Sequence, residues 1–250
     1  MYIDTHCHIT RNDYSDIPFL IDKIKKSGVN KIIVNGCDME SNLEVLDLVK
    51  KYDIIYGAIG FHPTELEKID EDNLLWLEEH IMDDKIVALG EIGLDYHYDN
   101  TDKNKEIYFF KKQLDIASKY NKPVIVHSRD AIQDTLDILK LYDLKGSIHC
   151  FSGSLEMARQ FIDIGFLIGV GGVVTYKNAK NIINVIKNID LKYILLETDS
   201  PYLTPEPYKN LKNDSSFIPL IATKVAEIKN TEVFYVEKET SDNANRLFDF

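Results

Sequence analysis

Short, β-branched apolar runs alternate along the chain with longer segments whose apolar residues fall three or four positions apart. The first pattern reads as strand and the second as amphipathic helix. Strands are predicted at Tyr2–His6, Lys31–Asn35, Ile54–Phe61, Ile86–Glu91, Val124–His127, Ser147–Cys150, Phe166–Val170 and Tyr193–Glu197. Helices are predicted between them at Ile17–Ser27, Glu40–Lys51, Asp72–Met82, Asp102–Tyr120, Ala131–Tyr142, Leu155–Ile164 and Ala179–Asn188, with two more in the tail at Pro219–Lys229 and Ser241–Phe248. Ile32-Ile33-Val34 and Pro123-Val124-Ile125-Val126 are apolar throughout, as strands covered on both faces are in parallel sheets beneath helices. Eight strand–helix repeats in 250 residues fit an α/β fold, a (β/α)8 TIM-type barrel forming a single domain over residues 1–250. The rival, an open doubly wound sheet, would favour a glycine-rich phosphate loop after the first strand. Here that strand runs into Thr5-His6-Cys7-His8.

Composition narrows the class. Hydrophobic residues at 44% and charged residues at 28% are globular values and exclude disorder, collagen and coiled coil as the main architecture. Three cysteines cannot build a disulfide scaffold and are expected to be reduced. The longest uncharged run, Ile164 to Tyr176, has 13 residues and four glycines, short of the roughly 20 a membrane span needs. No basic-then-apolar leader precedes Asp4, so a cytoplasmic protein is expected. A net charge of −12 argues against a broad phosphate-neutralising surface, but leaves room for a small pocket whose charge is set by bound cations.

The polar residues carry the chemical signal, because almost every predicted strand ends in one. His6 and His8 close the first strand, His62 the third, Glu91 the fourth, His127 the fifth, His149 the sixth and Asp199 the eighth. In a barrel these ends meet at one mouth. His6 and His8 are two apart and share a face of an extended segment, with Asp4 expected one layer deeper and Cys7 turned toward the helices. Two imidazoles side by side in a barrel interior call for a shared cation. Glu91 is the natural bridge between two cations, since each carboxylate oxygen can serve one of them. His127 and His149 are candidates for the second ion. Asp199 reads as a ligand that also takes a proton from water, and Glu197 as the group that orients an imidazole by accepting its other N–H. His62 is a candidate for contacting substrate or for capping a turn, Arg129 for holding a phosphate or for a salt bridge with Asp130, and the loop lysines Lys209 and Lys212 for holding phosphate. Asp95 and His97 are expected on a loop near the pocket, and His80 at the surface.

Assembled, these residues make the sequence resemble the TatD family of metal-dependent hydrolases, within the amidohydrolase superfamily of distorted (β/α)8 barrels. The resemblance covers essentially the whole chain. It runs through Asp4-Thr5-His6-Cys7-His8, Gly60-Phe61-His62-Pro63, Gly90-Glu91-Ile92-Gly93-Leu94-Asp95-Tyr96, His127-Ser128-Arg129-Asp130-Ala131, His149-Cys150-Phe151-Ser152-Gly153-Ser154, Glu197-Thr198-Asp199-Ser200-Pro201-Tyr202-Leu203 and Asn243-Ala244-Asn245-Arg246-Leu247-Phe248. It implies a divalent-metal phosphodiesterase, a deoxyribonuclease with 3′-to-5′ exonuclease action in some members. His6, His8, Glu91 and Asp199 would hold one metal, and Glu91, His127 and His149 the other. Many members carry a basic Arg-Gly-Lys-Arg-Asn-Glu-Pro stretch after Tyr202-Leu203. Here the region reads Tyr208-Lys209-Asn210-Leu211-Lys212-Asn213-Asp214-Ser215-Ser216, so the grip on phosphate is expected to differ more than the metal chemistry.

The expected function is hydrolysis of DNA phosphodiesters by water activated on two divalent ions, with zinc, magnesium and manganese each compatible with a His/carboxylate site. DNA enters as substrate, single-stranded or at ends, and no membrane or obligate protein partner is expected. The alternatives are an amidohydrolase, esterase or D-aminoacyl-tRNA deacylase on the same barrel, and a metal-loaded barrel that binds nucleic acid or a partner without turnover.

Overall fold

In a computed structural model that describes residues 1–99 and 101–250, each apolar run becomes one strand of a single sheet. The strands are β1 (Tyr2–Cys7), β2 (Val29–Asn35), β3 (Ile55–Ile59), β4 (Ile86–Asp95), β5 (Val124–Arg129), β6 (Gly146–Ile148), β7 (Phe166–Val170) and β8 (Ile194–Leu196). All pair in parallel and in chain order. The intervening helices are α1 (Ile17–Lys26), α2 (Met39–Lys51), α3 (Glu71–His80), α4 (Lys103–Tyr120), α5 (Ile132–Leu139), α6 (Leu155–Asp163) and α7 (Lys180–Asn188). After β8 come α8 (Ile218–Lys229) and α9 (Val233–Phe248). The result is a nearly closed (β/α)8 barrel. No helix among the described residues is long and apolar enough to cross a membrane.

The two faces of the strands bury different layers. Ile32, Val34, Val124 and Val126 face the helices in a large outer core. Ile3, Ile33, Ala58, Ala88, Ile125 and Leu195 form a second cluster with Ala244 and Phe248 of α9, so this last helix packs against the inner residues. Helix starts follow local chemistry. Asp38 and Asp70 accept backbone N–H bonds from the third residues of α2 and α3 in reciprocal capping boxes.

Two boundaries differ from expectation by four residues or more. β4 does not end at Glu91 but continues to Asp95, with Ile92 to Asp95 paired to Val126 to Arg129 after a register shift between Leu89 and Ile92. Glu91 therefore sits at an irregularity inside the strand, the kind of place where a strand re-aims a side chain. Gly93 follows at φ +147°, where an added Cβ would lie 1.9 Å from the His127 carbonyl oxygen. α9 starts eight residues earlier than Ser241. Its Val233-Phe234-Tyr235-Val236 opening looks strand-like, yet Val236, Thr240, Ala244 and Phe248 are buried at four-residue spacing. β1 carries a register irregularity between Asp4 and Cys7. Asp4, expected one layer below the imidazoles, is fully buried. Its carboxylate accepts from Thr198 N at 3.0 Å and Thr198 Oγ1 at 2.6 Å.

The contact between β8 and β1 runs through the segment after β8. Asp199 N donates to His6 O at 2.9 Å, His8 N donates to Ser200 O at 2.7 Å, and Cys7 and Ser200 form a parallel bridge. The chain that joins the first and last strands is thus the one that carries Asp199.

Candidate metal centre

His6 lies on β1 and His8 just beyond it; Glu91 is on β4, His127 on β5, His149 just after β6 and Asp199 three residues after β8. The barrel brings all six together. His6 Nε2 lies 3.2 Å from His8 Nε2, 3.4 Å from Glu91 Oε2 and 3.5 Å from Asp199 Oδ1. His8 Nε2 lies 3.5 Å from the same glutamate oxygen and 3.6 Å from the same aspartate oxygen. The other glutamate oxygen, Oε1, is 2.9 Å from His127 Nδ1 and 2.8 Å from His149 Nε2, and those two nitrogens are 3.1 Å apart. Two donor sets therefore meet at the two oxygens of one carboxylate.

The donor chemistry fits metal ions. Donors about 2.1 Å from a common ion, at angles between a right angle and a tetrahedral one, stand about 3.0–3.4 Å apart. Both sets are close to that spacing. The hydrogen bonds also leave the right lone pairs free. His8 Nδ1 is 3.0 Å from Asn35 O, which can only accept, so Nδ1 carries the proton and Nε2 presents its lone pair toward His6. His127 Nε2 is 3.1 Å from Asp95 Oδ2, which leaves Nδ1 to face the cluster. His149 Nδ1 looks toward Glu197 Oε1 at 3.8 Å. Glu197 Oε1 also accepts from Cys150 N. Gly169 makes room for this carboxylate, since a Cβ there would meet Glu197 Oε2 at 2.4 Å.

Burial and neighbours pull the titrations apart. Burial works to raise the Glu91 pKa, but His149, His6 and His62 and the His127 hydrogen bond outweigh it and hold Glu91 well below the usual carboxylate range. Burial opposes charge on His127 too, yet hydrogen bonds to Asp95 and Glu91 lift it to about 9. Burial, with His149 adding to it, lowers His6 to about 4. Asp199 is lowered despite its burial, by the His8 hydrogen bond and by His149 and His6. Burial raises Glu197 to about 8.

His62 joins the cluster, with Nε2 3.6 Å from Glu91 Oε1. Its Nδ1 accepts from Thr64 N at 3.2 Å, so Nε2 carries a proton and is a donor. The expected phosphate-holding cations lie outside the cluster. Arg129 is exposed, its guanidinium 5.8 Å from the Tyr98 ring centre. Lys209 pairs with Glu206 at 3.0 Å and lies over Tyr176, while Lys212 is held by Asp13 and Tyr14. Asp95 is the last residue of β4 and not a loop residue. His97 pairs with Asp130 at 3.0 Å on the exposed rim. His80 is half-buried, stacked on Trp76. Sequence reasoning missed Cys37, whose Sγ lies 3.7 Å from His8 Nδ1 and 3.8 Å from Glu91 Oε2. Its place just after β2 was the available signal.

A barrel of this kind with histidines and carboxylates gathered at its strand ends is a frame suited to a metal-dependent hydrolase. The family model described as TatD related DNase matches residues 3–249. A Bacillus subtilis (strain 168) protein described as the uncharacterized metal-dependent hydrolase YabD is 38% identical over 99% of this chain and 99% of its own. An Escherichia coli (strain K12) protein described as the uncharacterized metal-dependent hydrolase YcfH is 34% identical over 98% of this chain and 95% of its own. The crystal structure of YjjV, a TatD homologue from Escherichia coli K12, has a TM-score of 0.94 at 32% identity, covering 100% of this chain and 98% of that one. The chain belongs to the TatD family and is a metal-dependent hydrolase.

Proposed function

We propose that residues 1–250 act as one phosphodiester hydrolase on DNA, in which Glu91 would offer one oxygen to each of two divalent cations. His6, His8 and Asp199 complete the first donor set, and His127 and His149 the second. The observation that carries this reading is the division of labour at Glu91, whose two oxygens each face a separate group of donors. The family description as a DNase supports phosphodiesters as the substrate class. A set rich in imidazoles favours zinc over magnesium. When bound, such ions polarise a phosphoryl oxygen and make water acidic enough to attack near neutral pH.

The protein's own groups do the rest. Asp199, ionised and with 14% of its side chain exposed at the rim, accepts the proton of the attacking water. His62 Nε2–H donates to a non-bridging phosphate oxygen and steadies the charge that grows there. Arg129 has no ion pair among the described residues and is free to meet a neighbouring phosphate, whereas Lys209 and Lys212 would have to leave their partners to do so. Asp95 holds the His127 ring in place, and Glu197 faces His149 Nδ1 from 3.8 Å.

The test is to purify the protein with its native metal, measure the metal content, and assay single-stranded DNA, duplex DNA, RNA, an aryl phosphodiester, a cyclic amide and a D-aminoacyl-tRNA side by side. Turnover of DNA and the aryl diester, with about two ions per chain, is expected. Hydrolysis of the amide or the aminoacyl ester alone would overturn the phosphodiester reading.

A further inference from the structure

A cavity of about 380 Å³ opens beside the metal centre, between the segment that follows β6 and the one that follows β7. Two of its wall residues adjoin groups of the centre. Cys150, on its wall, is the residue after the candidate ligand His149, and Gly169, also on its wall, is the glycine that makes room for Glu197. Its interior is apolar, with buried Phe151 and Val174 and half-buried Val173. Its rim is polar and exposed. Asn181 Nδ2 donates to Ser152 O at 3.5 Å, and Asn178 and Lys180 stand next to it. Lys180 has no ion pair among the described residues, in contrast to Lys209 and Lys212.

We propose that this cavity is the subsite for the nucleobase attached to the ester being cleaved. The proposal rests on the phosphodiester reading above and adds to it where the flanking nucleoside goes. Small-molecule sites have volumes of about 300–1,000 Å³ and combine apolar walls with a few polar groups at the edge. A base presents flat apolar faces to Phe151, Val173 and Val174. Its edge carries donors and acceptors together, which the amides of Asn178 and Asn181 can match. Lys180, exposed at the rim, offers a cation to a phosphate of the same nucleotide. A purely aliphatic occupant would leave the two rim amides unused, and a highly charged one would gain nothing from the apolar walls.

The experiment compares two diesters with the same leaving group, thymidine 5′-(4-nitrophenyl) phosphate and methyl 4-nitrophenyl phosphate, on the metal-loaded enzyme and on Val173→Trp, which fills the cavity. The wild type is expected to prefer the nucleoside ester in kcat/KM, and Val173→Trp to lower that preference about tenfold or more. Asn181→Ala, at an exposed position, is expected to lower the same ratio in the same direction and serves if the tryptophan variant does not fold. Binding of thymidine and 2′-deoxyadenosine is followed in parallel by saturation-transfer NMR. Contact to the wild type that is lost in Val173→Trp supports the subsite. A preference that survives both variants, or nucleosides that bind neither protein, overturns it. If the wild type cleaves neither diester, the phosphodiester reading fails, and the nucleoside titration still decides the cavity.

Discussion

At the scale of single residues, Glu91 carries the most weight. Each of its oxygens faces a different donor set, so Glu91→Gln should cost both ions and turnover together. Elemental analysis showing two ions in a fully active Glu91→Gln protein would contradict the bridge. Asp95 acts one step out. It fixes His127 with Nδ1 toward the cluster, and Asp95→Asn is expected to weaken binding of the second ion about 10- to 100-fold, as loss of such partners does elsewhere. The His127 pKa of about 9 sets a pH dependence. A raised pKa means the ring is protonated below it, and an ion must displace that proton. Metal affinity should therefore rise with pH toward about 9 and fall as the pH drops below it, with protons released on binding. Titration calorimetry in buffers of different ionisation enthalpy measures that release. An affinity that is flat between pH 6 and 9 would sink this assignment.

At the scale of elements, the segment after β8 is shaped by partners far away in sequence. Asp199 has φ +53°, a left-handed conformation, between Thr198 and Ser200. Asp4 takes the Thr198 N–H and hydroxyl, and buried Asn213 donates to Thr198 O at 2.8 Å and Tyr202 O at 2.5 Å, one carbonyl on each side of Asp199. Asn213→Ala leaves those carbonyls without their donor. It should cost about 1–3 kcal/mol in urea unfolding and lower kcat more than it raises KM. Unchanged kcat in a folded Asn213→Ala protein would show that the clamp does not position Asp199. These elements also mark the limits of sequence reading. The strand-end rule singles out His6, His8, Glu91, His127, His149 and Asp199, which the barrel brings together, because ionisable groups after apolar runs stand out. It stops β4 at Glu91, because the apolar run is broken there by an ionisable residue and the pairing of Ile92 to Asp95 with β5 is a tertiary fact. It passed over Cys37, because a thiol after Val34-Asn35-Gly36 looks like one more small core residue. It starts α9 too late, because Val233-Phe234-Tyr235-Val236 has a local strand preference that the four-residue spacing of buried positions overrides.

At the scale of the whole molecule, the barrel turns six distant side chains into one cluster without any local motif holding all of them. An inner layer that includes Ala58 and Ala88, backed by α9, and an outer layer of strand and helix residues fix the strands, while the mouth gathers charges that repel or attract strongly. Ions that bind this folded arrangement and not the unfolded chain should stabilise it by mass action. Chelation is thus expected to abolish turnover and to lower Tm, with both restored by the metal, and a Tm unmoved by chelation would argue against ions at a site this buried. The most direct measurement is anomalous diffraction from crystals of the metal-loaded protein. Two peaks are expected in the barrel mouth, one beside His6 and His8, one beside His127 and His149, with one oxygen of Glu91 on each. A single peak that Glu91 does not touch, or metal bound only outside the mouth, would contradict the two-ion centre.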